Sequence, residues 1–577
     1  MRERSMLPQI TLSALHREVV GCNFRYATPF GKRLLVYTDY TASGRNVRFL
    51  ERYLMKIQES YANTHTEDDE TGRSTTEMLH LAEKIIKREV NGDENTCVIA
   101  VGSGTTGAIQ KLQEILGVYA PPALKDRLER GAEEHDRARG GGAARTFLEA
   151  WKRRAPVVFI GPYEHHSNDI SWREAFAETV MIGLAPDGGM DLKDLERKVS
   201  DRRHDGRLKI GSFSAASNVT GVKTPVYEVA RILHRHGALV CFDFAASAPY
   251  VEIDMNRDGD SYFDAVFLSP HKFLGGPGSS GILLFHRGVY RTDLPPTFGA
   301  GGTVDYVSAV AHDYSADIET REKSGTPGTL QVMKAALAME LKHAVGVDVI
   351  ERRERTYLGR ALERMKAAPN LEILGDPKPE THLAIVSFNI RHDERYLHPK
   401  LVTRLFNDLF GIQSRAGCSC AGPYGHALLG IDETSSERYR CQIHAGFQGI
   451  KPGWVRIGFH YVLDEIDFDY ILRAVEFLAE KGHLFLPLYR FETATGTWTA
   501  IEEGWEEDAS FGIAEALGGE NALRDCLTDE KRKAEYDRYI EEAKRIAAGL
   551  EEEGPPEYRE LPEEIRELGF FHVVEWE

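Results

Sequence analysis

The sequence predicts an α/β protein built on a mostly parallel sheet, and three observations predict it. From about residue 96 short apolar runs alternate with helical stretches, the pattern that βαβ units leave in a chain. Residues 263–268 are short, apolar and free of breakers, as a buried strand is. Small, polar and reactive residues gather just after several of these runs, where open α/β sheets bind ligands.

The elements follow in order. "TCVIAVGSG" reads as a strand and "TTGAIQKLQEIL" as the helix after it. "PVVFIG" and "ETVMIGL" are further strands, the second followed by the helix "DLKDLERKV". "LKIGSFS" precedes the helix "VYEVARILHRHG", which leads into the strand "ALVCFDF". Residues 263–268 and 282–285 complete the set. Residues 117–155 interrupt the rhythm with charge and a glycine run, and are read as a helical surface insertion.

After about residue 330 the helix "LQVMKAALAMELKHAV" opens a second region containing the strands "LAIVSFNI" and "WVRIGFHYV". Beyond 482 the chain turns aromatic and then acidic, in "EEGWEEDASFG" and "YIEEAKRIAAGLEEEGPPEYRELPEEIRELG". Blocks of like charge are usually solvated, so this part is expected to be an appended, partly helical segment whose loss leaves the rest folded. The expected organisation is an N-terminal segment (1–50) packing with a small domain, a large domain (51–330), the small domain (331–481) and an acidic extension (482–577).

At 577 residues the chain exceeds what one core supports. Its 42% hydrophobic and 28% charged content is ordinary for a globular protein. No apolar run is long enough to span a bilayer, and "MRERSMLPQITLSALHREVV" lacks the apolar stretch of a secretory signal. Seven thinly spread cysteines make no disulfide framework and fit a reducing cytoplasm. A net charge of −18 argues against nucleic acid as a partner. A cytoplasmic protein with neither nucleic-acid nor membrane partners is expected.

Lys272 sits between a buried strand and a glycine-rich loop. It reads either as a reactive amine or as a surface lysine on a tight hairpin. "VGSGTTGAI" offers backbone N–H groups, hydroxyls and a helix start to a phosphate, or simply caps a helix. Asp243 ends a very apolar strand, where a carboxylate is costly without a cation. "YEHHSN" places His165 and His166 after one strand, the second read as structural, and "SNVTG" places Asn218 after another. An amine, a carboxylate for a ring nitrogen, a phosphate nest and a flat ring partner are together what pyridoxal phosphate needs. No metal site is predicted, since two neighbouring thiols are too few for a closed zinc site.

The order "YTDYTASG", "NTH", "GSGTTGAI", "EHHSN", "SNVTG", "VCFDFAASAP", "SPHK", "GTPG" and "RAGCSC" resembles the class V aminotransferase family over about residues 34–480. Within it, the cysteine desulfurases and selenocysteine lyases are most similar. The resemblance implies the pyridoxal-phosphate-dependent transferase fold type I: a large domain around a mostly parallel seven-stranded sheet, and a smaller α+β C-terminal domain. It further implies a homodimer with active sites at the subunit interface.

Carried onto this sequence, the resemblance makes Lys272 the lysine that bonds the cofactor, Asp243 the partner of its ring nitrogen, and His165 the ring-stacking histidine that assists proton transfer. Thr105, Thr106, Ser269 and His271 match phosphate ligands, and Thr303 of "GAGGT" lies in a loop that relatives place near the neighbouring subunit's phosphate. Asn218 matches a residue near cofactor and substrate. Arg456, with Arg415 as second candidate, matches the arginine that holds a substrate carboxylate, which a guanidinium suits; His65 of "NTH" is a further substrate contact. Cys420 matches the nucleophilic cysteine of the desulfurases.

The sequence departs from the family pattern in three places. Ala246 stands where a glutamine is usual, "RAGCSC" replaces "RTGHHC" so that Cys418 supplies a second thiol, and the C-terminal extension is absent from the simplest members. The expected activity is removal of sulfur from L-cysteine, giving L-alanine and a persulfide on Cys420, with a protein sulfur acceptor as a further partner. The alternatives are transamination, lysis or epimerisation of another amino acid with both thiols as bystanders, or a sulfur-carrier scaffold acting through the extension.

Overall fold

Seven strands dominate the first of two compact units, which comprises Ser43–Ser217 and Val222–Val347. The computed structural model describes residues 10–64, 68–502, 511–518 and 525–576. In chain order the strands are β1 (Thr96–Val101), β2 (Val157–Ile160), β3 (Glu178–Met181), β4 (Lys209–Ser214), β5 (Ala238–Asp243), β6 (Ala265–Leu268) and β7 (Gly281–His286). They lie side by side as β1-β7-β6-β5-β4-β2-β3. β2 pairs in parallel with β3 and β4, β4 with β5, and β5 with β6; β7 alone runs against its neighbours β1 and β6. The mostly parallel seven-stranded sheet is therefore as expected. Every residue of β2, β4 and β6 is buried, and β2 and β6 are accordingly apolar without alternation.

Helices α1 (Glu70–Arg88) and α2 (Gly104–Ile115) flank β1 in sequence, and the charged stretch after α2 forms α3 (Pro122–Arg139) and α4 (Ala143–Arg153). Proline at the start of α3 suits a position whose N–H has no helical partner. Further along come α5 (His166–Arg173), α6 (Val226–Arg235) and α7 (Thr329–Val345).

The second unit comprises Met1–Ala42, Asn218–Gly221 and Asp348–Glu577. Its sheet holds β8 (Leu371–Ile373), β9 (Ile385–His392), β10 (Arg395–Tyr396), β11 (Arg415–Gly417) and β12 (Trp454–Gly458), with all pairs antiparallel. Helices α8 (Pro399–Phe410), α9 (Glu465–Lys481) and α10 (Asp529–Glu553) belong to it. Residues near the N-terminus join this unit through a parallel pairing of Val36–Tyr37 with Ile412–Gln413.

The segment after 482 does not build a core of its own, contrary to the expectation of a separable tail. Tyr489, Phe491, Trp498, Tyr536, Tyr539, Ile540 and Phe571 are buried in one cluster with Phe406, Val455 and Leu472. Tyr536 stacks on Tyr470 at 3.9 Å and 5°. Arg532, only 5% exposed, donates to Asp467 Oδ1 and contacts His16 Nε2, both at 2.8 Å, and pairs with Asp464. The three groups would otherwise form a cation site; the guanidinium fills it. Cys22 and Cys526 form a disulfide with Cα atoms 5.3 Å apart, which corrects the expectation of unpaired cysteines. The part of the tail at 503–510, within "EEGWEEDASFG", lies outside the described residues.

His398, at the start of α8, gives this unit an acid sensitivity. Its Nδ1 accepts the Lys400 N–H at 3.1 Å, so Nε2 donates to Gly449 O at 3.1 Å, and Phe571 packs edge-on at 4.5 Å. Burial, reinforced by the Lys400 charge, pushes the imidazole down to about 3. A depressed folded value means that the unfolded chain takes up the proton first. Stability is thus complete above the ordinary histidine range and falls as the pH drops towards about 3, by about 1.4 kcal/mol per pH unit. Urea unfolding of wild type and His398→Gln between pH 7.5 and 5 should show the smaller slope in the variant; equal slopes would count against this origin.

Candidate active site

The strand β6 delivers Ser269 to Lys272 at its carboxyl end. Residues Pro270–Lys272 form a single 3₁₀ turn, with the Lys272 N–H bonded to Ser269 O at 2.9 Å. The turn is clamped by Gly44, whose N–H donates to His271 O at 2.9 Å. A Cβ on Gly44 would lie 1.9 Å from Phe273 O, so only glycine allows this approach. Lys272 is half-buried.

Around it the structure gathers most of the expected cofactor residues of this unit. Asp243 ends β5 with 3% exposure, and its Oδ1 accepts the Ala245 N–H at 2.8 Å. Burial raises its carboxyl above the ordinary range; the bonds from Ala245 and the Thr105 hydroxyl and the Lys272 charge pull it back. The Thr105 N–H donates to Ser269 Oγ at 2.9 Å. Gly104, with φ +56°, completes a cradle at the start of α2 in which a Cβ would meet Ser269 Oγ at 2.7 Å. Neither threonine is the cap of α2, which is Ser103, so the simple capping role is not what places them. Thr106 is exposed and bonds Ser167 Oγ at 2.7 Å.

His271 is pushed down to about 4 by burial and then by the adjacent Lys272, so it is neutral near pH 7. His165 caps α5, its Nδ1 accepting the Ser167 N–H at 3.1 Å, which leaves the proton on Nε2. Ala246 is buried. Thr303 is wholly buried, its hydroxyl donating to Ala300 O at 2.7 Å within its own loop. His65 lies outside the described residues.

The second unit holds the other group. Arg456 on β12 is 3% exposed, and it donates to Asp39 Oδ1 at 2.7 Å and to Asn218 O at 2.8 Å. Arg415, opposite it on β11, reaches Asp39 Oδ2 at 3.2 Å. Asn218 in turn donates to Ser419 O at 2.6 Å, and its Oδ1 is buried without a partner among the described residues. Cys418 is half-buried and Cys420 exposed.

Two residues escaped the sequence reading. Glu164, beside His165, accepts from Gly161 N, Ser214 N, Asn168 Nδ2 and Ser214 Oγ at 2.6–3.1 Å, and burial pushes it up to about 7. It locks the turn that carries His165. Asp39, inside "YTDYTASG", bridges both arginines. Removing it takes the carboxylate from the buried Arg456, leaving that charge with Asn218 O, so Asp39→Ala should cost about 3 kcal/mol. Arg415 is 46% exposed, and its loss should cost under about 1 kcal/mol. Urea titrations of the two variants check this, and equal losses would refute the asymmetry.

Six parallel strands with β7 reversed, and a lysine turn after β6, define the fold of the type I pyridoxal-phosphate-dependent transferases. The chain belongs to the class V aminotransferase family, whose model matches residues 142–470. It is 31% identical over 285 residues to a probable cysteine desulfurase of Halalkalibacterium halodurans, covering 49% of this chain and 65% of that one. A probable cysteine desulfurase of Streptomyces coelicolor is 29% identical over 270 residues, covering 46% and 61%. The chain thus spans just under two thirds of the length of these two relatives. Among solved structures, the apo cysteine desulfurase of Thermococcus onnurineus superposes with a TM-score of 0.60 at 22% identity, over 77% of this chain and 95% of that one; that likeness concerns the fold alone.

Proposed function

We propose that the protein is a pyridoxal-phosphate enzyme that removes sulfur from L-cysteine, leaving L-alanine and a persulfide on Cys420. The residues fit the cofactor: a buried carboxylate at the end of β5 within reach of the Lys272 charge, that amine on the next strand's turn, and a small-residue cradle at the start of α2. Lys272 would hold the cofactor covalently, Asp243 would keep its ring nitrogen protonated, and Thr105, Thr106, Ser269 and His271 would receive the phosphate. Bound there, pyridoxal phosphate supplies an electron sink for the bonds broken at the substrate's α-carbon.

The chain's own groups do the rest. Lys272 moves the α-proton, and His165, fixed by Ser167 and backed by Glu164, presents its ring and Nε2 proton. Arg456, held by Asp39, takes the substrate carboxylate. The Cys420 thiolate takes the sulfur, because the thiolate is the nucleophilic form. The observation that carries desulfuration over plain transamination is the exposed Cys420 thiol on a turn tied through Ser419 and Asn218 to Arg456.

Holoprotein given L-cysteine, with and without a thiol reductant, should form alanine and sulfide. Cys420→Ser should lower sulfide formation by at least about a hundredfold while still binding L-cysteine. Amino transfer dependent on a keto acid, with no alanine from cysteine, would favour the second reading, a transaminase or lyase. Ala246 in the place of the family glutamine is the feature that speaks for it.

A homodimer is part of the proposal. The hairpin Val304–Val307 and His312–Tyr314 beside Thr303 leaves Tyr306 56%, Val307 62% and Val310 94% exposed, apolar surface suited to a second copy. A protein sulfur acceptor remains the expected further partner. Among the described residues no helix is long and apolar enough to cross a membrane.

A further inference from the structure

Cys418 and Cys420 sit on an unusual turn. The Ala421 N–H donates to Cys418 O at 3.0 Å, closing four residues whose central pair, Ser419 and Cys420, have φ of +50° and +56°. Such turns ordinarily take glycine or asparagine, and a left-handed non-glycine residue costs about 1–3 kcal/mol. The strain has a geometric result. A turn of this kind keeps the Cα atoms of residues i and i+2 about 5.4 Å apart, inside the disulfide range of about 4.4–6.8 Å; side chains two residues apart face away from each other in helical geometry, so closing the bond requires the turn to rotate. The bond from Asn218 to Ser419 O holds the turn in place.

The surroundings suit anionic sulfur. A cavity of about 340 Å³ is lined by both cysteines together with Arg415, Lys400 and Lys451. These three cations attract an anionic sulfur donor into the cavity. Cys420 is the exposed member and Cys418 the half-buried one, so the outer thiol is the one a sulfur donor meets.

We propose that Cys418 is a resolving thiol which displaces sulfur from Cys420 as hydrosulfide. The inference rests on Cys420 being the sulfur-bearing residue. The Cys418 thiolate attacks Sγ of the Cys420 persulfide. A bond forms between the two cysteine sulfurs, the bond to the outer sulfur breaks, and that sulfur leaves with the electron pair and its proton as HS⁻. The zero-valent outer sulfur gains two electrons, and the two cysteine sulfurs together lose two. A dithiol reductant resets the pair, itself becoming a disulfide.

The test uses full-length holoprotein without oxygen or added reductant, in two arms. One arm receives L-cysteine; the other receives inorganic polysulfide, which loads exposed thiols without the protein's own chemistry. Sulfide is measured, and the peptide containing both cysteines is weighed. Wild type should release about one sulfide per chain and stop, with that peptide lighter by two hydrogens, until a dithiol restarts release. In Cys418→Ser the peptide should instead gain a sulfur atom, and sulfide before dithiol addition should fall at least about tenfold. Cys441→Ser, which alters an exposed thiol outside the turn, should behave as wild type. A stable extra sulfur on wild-type Cys420 in the polysulfide arm, without the disulfide, would overturn the inference. Disulfide and sulfide in that arm, with no alanine in the other, would uphold it while rejecting desulfuration of cysteine.

Discussion

Lys272→Ala is expected to abolish turnover, by at least about a thousandfold, and to remove the visible absorption of the cofactor-loaded protein. Lys272 is the amine on the turn that Gly44 clamps, and its charge is the one drawing down the buried Asp243. The turn itself is held by backbone bonds from Lys272 N–H to Ser269 O and from Gly44 N–H to His271 O, so alanine leaves it standing. Stability should change by less than about 1 kcal/mol. Spectra and turnover of the two proteins decide the matter: a variant within tenfold of wild type would remove Lys272 from the chemistry.

Ending the chain after residue 481 is expected to unfold the second unit. The cut removes Tyr489, Phe491, Trp498, Tyr536, Tyr539 and Phe571 from its core. At about 1.5–3 kcal/mol for each large apolar side chain, the loss matches or exceeds the roughly 5–15 kcal/mol by which a domain is stable. It also leaves Asp467, 5% exposed, without Arg532. The full chain should show a cooperative transition for this unit in urea that the shortened chain lacks. A soluble truncated protein with that transition intact would refute the prediction.

The shared core departs from the sequence-based expectation of a separable tail, and the reason is physical. Tyr536, Tyr539, Ile540, Ala543 and Ala547 recur at helical spacing and are all buried, but the acidic residues between them dominate the composition. A net charge averaged over a segment hides a single apolar stripe. Strands such as β2 and β6 were legible because burial on both faces leaves unbroken apolar runs. Lys272 and Asp243 were legible because a charge at the end of such a run is rare.

Other features had no local signal. Asp39 gains its meaning from Arg415 and Arg456, and Cys22 from Cys526, 504 residues away. Glu164 stood inside a recognised motif, yet only the fold brings Ser214 to its oxygens. Contacts of this kind depend on the tertiary path, which no window of sequence contains.

The interleaved path of the chain sets an order of events during synthesis. The first unit is complete once Val347 has left the ribosome, whereas the second begins with the first residues and is finished only near the last. Val36 must wait for Ile412, its neighbour in the sheet. At about 5–20 residues per second this delay is roughly 20–75 s. During that interval Leu34 and Val36, buried in the finished protein, have no core to enter. The nascent N-terminal segment is therefore a binding target for chaperones that cover apolar chain, and slowing translation after Val347 should lengthen its exposure.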